Sequence, residues 1–319
     1  MNINTPLRTL DIVGTTNSST CVANQTENLG RGTRDYILSL RNEILENRGY
    51  VLPEDFDTSW NIRLGPIWTP DVESRLINWI SPEYFRPETN NPTKIIEATD
   101  RSPEENNWSQ TDLGNMPTLG TPLNGFDGLV FDGFTDKMVD DTTDTLNHGT
   151  GDFLHYMVVN IGPDDNSETL IVTTKNITTW ALTKDCTSSA TTLTMYLDSN
   201  ATSKTSAYSF DDDLILTFGR KANKPILYVN GTLAFEGSAD LFNVSSISGH
   251  LGDGSGASGN FEGVIYEMVV ISDEGAVSTG NIAVYQEEIE GYLAHKYGLT
   301  GNLPAAHTYK TNPPRKSVV

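Results

Sequence analysis

The sequence predicts a mainly β protein: a sandwich of antiparallel strands, preceded by an N-terminal arm and helix and closed by a C-terminal helix. Three observations predict it. The runs FLHYMVVNIG, TLIVTTK, TLTMYLDS, DLILTFGR, PILYVNGTLAFEG and FEGVIYEMVVIS recur between residues 153 and 272, separated by turn residues. Such short alternating runs are the pattern of half-buried antiparallel strands. Asn, Thr, Ser, Asp and Gly are abundant, which favours turns and exposed loops over long helices. Only two segments carry helical periodicity, and they flank the strand-like runs. With 319 residues and 37% apolar composition the chain has enough material for one large domain or two.

Residues 1–34 are polar and without periodicity, an extended arm. Residues 34–48, RDYILSLRNEILENR, read as an amphipathic helix. Tyr36, Leu40 and Ile44 stand at i, i+4 and i+8, and Ile37 and Leu45 widen the stripe. Thr33 caps its start, Asp35 suits the first turn and Gly49 the C′ position, and Pro53 forbids continuation. Residues 1–66 are therefore expected to be an arm and helix that dock the chain to a neighbour, and residues 67–319 the sandwich. Within the sandwich, Asn230-Gly231 between ILYV and TLAF supplies the positive φ angles of a type I′ hairpin. Leu227 and Val229 then share one face and Tyr228 takes the other. Near the end, Ile282, Tyr285, Ile289 and Leu293 form a helical stripe, with Asn281 as N-cap, His295 and Lys296 in the last turn and Gly298 in the left-handed terminating position. This helix is expected to close the end of the sandwich, with Glu287 and Glu290 on its solvated face. The following LTGNLPAAHTYKTNPP is expected to run extended, held straight by its prolines.

The formal net charge is −21, from 42 acidic and 21 basic residues. A nucleic-acid interface needs clustered Lys and Arg, which the chain lacks, and an anionic membrane surface would repel it. The N-terminus, MNINTPLRTLDIVG, has no basic region followed by an apolar one, and no apolar run is long enough to span a bilayer. The expectation is synthesis in a cytoplasm without membrane insertion. Cys21 and Cys186, too few for a disulfide framework or a four-thiolate zinc site, are expected as free thiols.

The tail segment EIEGYLAHKYGLTGNLPAAHTYK resembles the closing segment of the laminin-G-like, concanavalin A-like jelly rolls. These occur in bacterial surface proteins and in virion proteins of bacteriophages, marine ones among them. That pattern runs E-G-Y-L-A-x-K-W-G-L, then L-P-x-x-H-P-Y; here Tyr297 stands in place of Trp and Thr308 in place of Pro. Upstream, SRLINWISPEYF resembles the opening strand, LNGFDGLVFDGFTDKM an L-N-G-x-x-x-V-x-F-D-G element, and ILYVNGTLAFEG with GHLGDGSGASGNFEGVIYEMVVIS the late hairpin and Gly-rich turn. The likeness covers residues 67–311. It implies a concanavalin A-like jelly-roll sandwich in a non-enzymatic virion protein, a capsid decoration or a tail or fibre component on the outer surface of the particle. The N-terminal segment would contact other virion proteins, the chain would form a homo-oligomer, and the sandwich would contact host-surface glycans. A free carbohydrate-binding module and a glycoside hydrolase are the alternatives.

The chemistry is read from residue types and spacing. A glycosidase needs two carboxylates about 5–5.5 Å or about 6.5–9.5 Å apart, and no E-x-D-x-x-E strand is present. Asp211 and Asp213, at i and i+2 before a strand, are the nearest substitute. The five histidines, His148, His155, His250, His295 and His307, show no H-x-H or H-x-x-x-H spacing and read as surface or packing residues. Calcium needs several hard oxygens, and the candidate ligands are Asp164, Asp165 and Asn166 with Asp211 and Asp213. Turn chemistry explains these clusters equally well, so the cofactor expectation is none, or Ca²⁺. For carbohydrate, Trp108, Trp180, Tyr196 and Tyr208 lie in or beside polar runs, where rings can stack on sugars.

Overall fold

The computed structural model describes residues 68–315 except 74, 143–146, 163–168, 175–179, 188–189, 198–199, 209–211, 239–242, 245–248, 254–258, 274–281 and 283–284. The N-terminal arm and the helix expected at Tyr36, Ile37, Leu40, Ile44 and Leu45 lie outside the described residues. Residues Ile67–Pro314 form a unit of their own. It is a mainly β, jelly-roll sandwich, as the alternating runs predict.

Its strands fall into two layers. In the first, β17 (Glu262–Ser272) is central. One side of β17 pairs with β7 (Phe153–Ile161), which leads on to β12 (Asp213–Lys221), β13 (Lys224–Val229) and β14 (Thr232–Glu236). The other side pairs with β1 (Leu76–Pro87) along one half and with β5 (Phe126–Asp132) along the other; β5 in turn pairs with β4 (Thr118–Leu123). The second layer runs β2 (Ile95–Asp100), β3 (Trp108–Ser109), β6 (Met138–Asp140), β15 (Gly249–Leu251), β8 (Thr169–Thr174), β9 (Trp180–Thr187), β10 (Ala190–Leu197) and β11 (Asn200–Tyr208). The short β16 (Gly259–Asn260) joins β8 in parallel. Strand β1 belongs to both layers. Leu76–Ile80 pair with β17, the register then shifts between Ile80 and Phe85, and Phe85–Pro87 pair with β2. Such an irregularity bends a strand, which here carries it around the edge of the core.

The core between the layers takes alternate residues of the first layer, Met157, Val159, Leu214, Leu216, Phe218, Leu227 and Val229, against Ile95, Ala98, Trp108, Met138, Leu193 and Met195 of the second. The opposite face of the first layer is also buried. Leu154, Tyr156, Val158, Ile215, Val269 and Ile271 point outward and are covered by a helix, α1 (Gln286–Tyr297), through Ile289, Tyr292, Leu293 and Tyr297. Burial on both faces explains why β7 reads FLHYMVV, apolar but for the buried His155 and the Tyr156 hydroxyl. The helix thus covers a face of the sandwich and does not close its end. It begins at Gln286, later than the stripe predicts: Ile282 is buried but precedes it, and Asn281 lies outside the described residues. Gly298 ends it as expected, at φ +73°, with the Leu299 N–H returning to Ala294 O at 2.8 Å.

The hairpin forms as predicted. Asn230 and Gly231 have φ of +51° and +73°, and the Asn230 side chain accepts the Ile215 N–H at 2.9 Å. The tail departs from its expected straight course. Residues 300–302 form a 3-10 turn, the His307 N–H bonds Pro304 O at 3.0 Å, and the Lys310 N–H bonds His307 O at 3.0 Å. Proline's fixed φ suits the start of a turn as well as an extended run, and the local hydrogen bonds together with contact against α1 select the turns. Gly291 permits that contact, since a Cβ there would lie 2.4 Å from Tyr309 Cβ. The tail finishes with Pro314 O accepting the Trp68 N–H at 3.0 Å, so the two ends of the unit meet.

Candidate functional site

A local irregularity in β17 prepares the surface on which the helix and tail are built. Ile265 pairs with Val159 and Glu267 with Val158, so Tyr266 is an extra residue. The bulge puts Tyr266 and Glu267 on the helix side together. Glu267 is fully buried. Its Oε1 accepts from Trp79 Nε1 at 2.7 Å and Tyr292 OH at 3.0 Å, and its Oε2 from Tyr297 OH at 2.8 Å and Lys296 Nζ at 2.6 Å. The Lys296 ammonium also reaches Ser81 Oγ at 2.8 Å and Glu83 Oε2 at 3.0 Å and lies over the Phe126 ring at 4.8 Å. The lysine's charge holds the Glu83 carboxyl below its ordinary range against the opposing effect of burial, while burial pushes the Tyr297 phenol up. Four donors on one carboxylate form an anchor for the helix, with no group left to act on a ligand.

Further along the same face, a polar cleft of about 330 Å³ opens between α1, the β12–β13 strands and the tail. That lies within the range of small-molecule sites, about 300–1,000 Å³. Helix residues Gln286, Glu287 and Glu290 form one wall, Lys221, Tyr228 and Gly231 another, and His307 of the tail the third. Glu290 is 1% exposed. It accepts from Thr217 Oγ1 at 2.8 Å, Gln286 Nε2 at 3.0 Å and His307 Nε2 at 3.3 Å. His307 Nδ1 accepts the Tyr309 N–H at 3.2 Å, so its proton belongs on Nε2, the atom facing Glu290. Both ring nitrogens are thereby engaged. Lys221 donates to Gln286 Oε1 at 2.7 Å and stands 5.5 Å from the Tyr228 ring centre. Desolvation pulls the lysine down, against the opposing charges of Glu290, Glu236, Asp152 and Glu287, and burial pushes the Tyr228 phenol up. Gly231 is needed for close approach as well as for its φ: a Cβ there would meet His307 Cδ2 at 3.1 Å and Pro304 Cδ at 3.2 Å.

Two other groups of ionisable residues stand out. His148 Nε2 lies 3.0 Å from His155 Nε2, and the rings stack on Phe153 and Phe218. Desolvation holds both imidazoles down, His155 to about 3, so one neutral ring donates to the other. These are packing residues, and the buried Arg220 is near enough to lower His148 further. At the loop after β5, Asp132 Oδ1 accepts the N–H groups of Phe134, Thr135 and Asp136 at 2.8–3.0 Å. Asp136 is pushed up to about 6, chiefly by desolvation and then by the Asp132 charge, with Lys94 at 3.2 Å opposing. This loop displays Phe134, 76% exposed.

The residues singled out from sequence are scattered by the fold. Trp108 is wholly buried between the layers and donates to Asn78 Oδ1 at 3.2 Å, so its ring offers no platform for a sugar. Its strand β3 lies between β2 and β6, which turns the ring into the core. Trp180, Tyr196 and Tyr208 fall in β9, β10 and β11, but their side chains lie outside the described residues, as do Asp164, Asp165, Asn166 and Asp211. Asp213 heads β12, where it accepts from Asn160 Nδ2 at 3.0 Å and from the Tyr266 hydroxyl, whose pKa is pushed up to about 12 by burial and by that carboxylate. Among the described residues no three His, Cys, Asp or Glu side chains are grouped to hold a metal ion. Glu290 corrects the expectation of a solvated helix face: it is buried beneath the tail. Its neighbour Ile289 in the apolar stripe was the available signal, because the side chain after a core residue can lie at the edge of the buried face. Lys221, Tyr228 and His307 had no signal as a group, coming from three separate segments.

No protein-family model and no curated protein sequence matches the chain. Solved structures show partial likeness. The binding domain of Paraclostridial Mosquitocidal Protein 1 is 11% identical over 63% of this chain and 50% of that one, with a TM-score of 0.47. Trypanosoma rangeli sialidase in complex with the inhibitor DANA is 12% identical over 73% of this chain and 36% of that one, with a TM-score of 0.47. The receptor-binding domain of botulinum neurotoxin type G is 12% identical over 67% and 51%, with a TM-score of 0.40. The chain spans about half, or less, of the length of these structures.

Proposed function

We propose that the chain is a non-enzymatic, glycan-binding β-sandwich of a bacteriophage particle, in which the cleft under the tail receives a sugar. The observation that carries this reading is the convergence of planar polar groups, the Gln286 amide, the Glu290 carboxylate and the His307 imidazole, beside the half-buried Tyr228 ring. Sugars offer pairs of hydroxyls to planar acceptors and donors, and C–H faces to rings. The same geometry disfavours proton-transfer chemistry. His307 has a partner on each nitrogen, and Glu290 already accepts three hydrogen bonds. The two groups are engaged with each other, and the one acceptor site that the Glu290 carboxylate keeps is left for a sugar hydroxyl. Carriage by a particle is supported by the resemblance of residues 67–311 to jelly rolls that occur in phage virion proteins as well as in bacterial surface proteins, and by the helical spacing of apolar residues in the sequence at 36–45, which suits docking to a neighbour.

Calorimetric titration of the purified chain with an oligosaccharide panel tests the binding reading. Saturable binding is expected, weakened about tenfold or more in Tyr228→Ala, as is usual for removal of an aromatic anchor. Unaltered binding by that variant would move the site elsewhere, and absence of binding across the panel would remove the reading. Carriage is tested separately by deleting residues 1–66. The truncated chain is expected to be lost from purified particles, and full occupancy without those residues would contradict docking through them.

A further inference from the structure

Phe134 is the most exposed large apolar side chain among the described residues, at 76%, and Leu113 is next, at 48%. The fold brings them to neighbouring loops. The Thr135 hydroxyl donates to Gly114 O at 3.0 Å, and the Lys137 N–H to Asn115 O at 2.9 Å. Each loop is also fixed from within. Asp132 Oδ1 accepts the N–H groups of Phe134, Thr135 and Asp136, Gly133 reverses the chain at φ +76°, and Asn260 Nδ2 donates to Phe134 O at 2.6 Å. In the other loop, Asp112 Oδ1 accepts the Gly114 N–H at 3.0 Å and Asp112 O the Asn115 N–H at 2.9 Å. The turn needs the carboxylate at 132 and the glycine at 133, but it needs no ring at 134. A serine there would keep every one of these bonds and expose no apolar surface. An apolar pair held this firmly in water is better explained by something that covers it.

Shape and charge narrow what that is. The Phe134 ring stands on a loop and projects into solvent, which suits insertion into a partner's pocket, the usual part of an aromatic hot spot. Of the nearest cations, Lys94 is paired with Asp136 at 3.2 Å and Lys137 with Asp253 at 3.4 Å. Asp112 and Asp132, which build the two loops, form no ion pair among the described residues. The patch is therefore apolar at its centre and negative at its margin, on a chain of net charge −21. A second copy would bring the same sign, and so would an anionic membrane, whereas a basic surface is drawn in. We propose that Phe134 and Leu113 are the anchors of a protein-docking surface, and that the partner is a protein whose apolar pocket is bordered by Lys and Arg. This surface shares no residue with the cleft under the tail and does not rest on the glycan-binding reading.

The test uses the full chain with the photo-reactive p-benzoylphenylalanine in place of Phe134, irradiated in an extract of its native source. Sequencing of the adducts is expected to give one protein, joined through an apolar residue beside Lys or Arg. That protein, once purified, is expected to bind the wild-type chain saturably and to bind Phe134→Ser or Leu113→Ser at least about tenfold more weakly, the size of a hot-spot loss. Raising the salt concentration should also weaken binding. Both variants are expected to melt with the wild type. A lower melting temperature would give these side chains to the fold and overturn the proposal. Adducts only with residues 1–66 or with a second copy would make the chain itself the occupant and overturn it as well. So would adducts only with lipid or glycan, a partner surface that is acidic, affinity indifferent to both variants, or no adduct at all. Oligosaccharide titration of Phe134→Ser is expected to match that of the wild type, so the failure of either reading leaves the other standing.

Discussion

Glu267→Ala is expected to lower the stability of the sandwich by about 3–5 kcal/mol, the usual cost of removing one partner from a buried ion pair. The size follows from what the substitution leaves behind. Lys296, whose side chain is 6% exposed, keeps only Glu83 as a counter-charge. The Trp79 indole and the Tyr292 and Tyr297 hydroxyls lose the carboxylate to which they donate. The effect is concentrated on the seam between β17 and α1, so the helix and the tail lying on it should loosen first. Urea unfolding followed by tryptophan fluorescence measures the loss, and amide exchange in residues 286–297 locates it. The double substitution Glu267→Met with Lys296→Met is expected to recover part of the loss, because the buried ammonium goes with its partner, while the three aromatic donors stay unpaired. A single variant within about 1 kcal/mol of wild type, well below that cost, would mean that apolar packing alone fastens the helix.

Gly219→Ala is the second substitution with a large expected cost, on the order of 2–5 kcal/mol from backbone strain and overpacking combined. Gly219 is in the middle of β12, paired on one side with Leu154 and on the other with Ile226. Its φ is +146°, and a Cβ would fall 2.2 Å from the Phe153 carbonyl oxygen. Phe153 cannot yield, since β7 is held between β17 and β12 and is buried on both faces. Gly231→Ala makes a useful contrast. It also has a positive φ, +73°, but its nearest contact is 3.1 Å, from a side chain. A loss of about 1 kcal/mol is expected there. Midpoints at unchanged denaturant slope give both values, and equal losses for the two variants would show that carbonyl crowding in β12 adds nothing to conformation.

What was legible in the sequence was what local chemistry decides. Asn230 and Gly231 specify their turn through their own backbone preferences, and the strand alternation around them follows. Gly298 likewise ends its helix by its own conformation. The sandwich as a class followed from the repeated runs. Position on the sandwich was less legible, because it depends on distant partners. The stripe on α1 says that one face is buried but not what covers it, and the answer lay in the nearly continuous apolar run of β7, broken by His155, which needs cover on both faces. Glu290 looked like a solvated helix carboxylate, yet its donors Thr217 and His307 are 73 and 17 residues away. Trp108, in the polar run ENNWSQ, looked exposed because its indole partner Asn78 is 30 residues upstream. The cleft combines both difficulties: its residues come from a strand, a turn, a helix and a tail, and each has an ordinary local explanation.

The hydrogen bond from the Trp68 N–H to Pro314 O, at 3.0 Å, has an engineering consequence. A unit whose first and last residues touch behaves as a cassette, which can be set into a surface loop of another protein without stretching either. Residues 67–314 should therefore be transplantable as a block, carrying the cleft with them. The same closeness allows the ends to be joined and new ones opened elsewhere, and the exposed Phe134 loop is one place to cut.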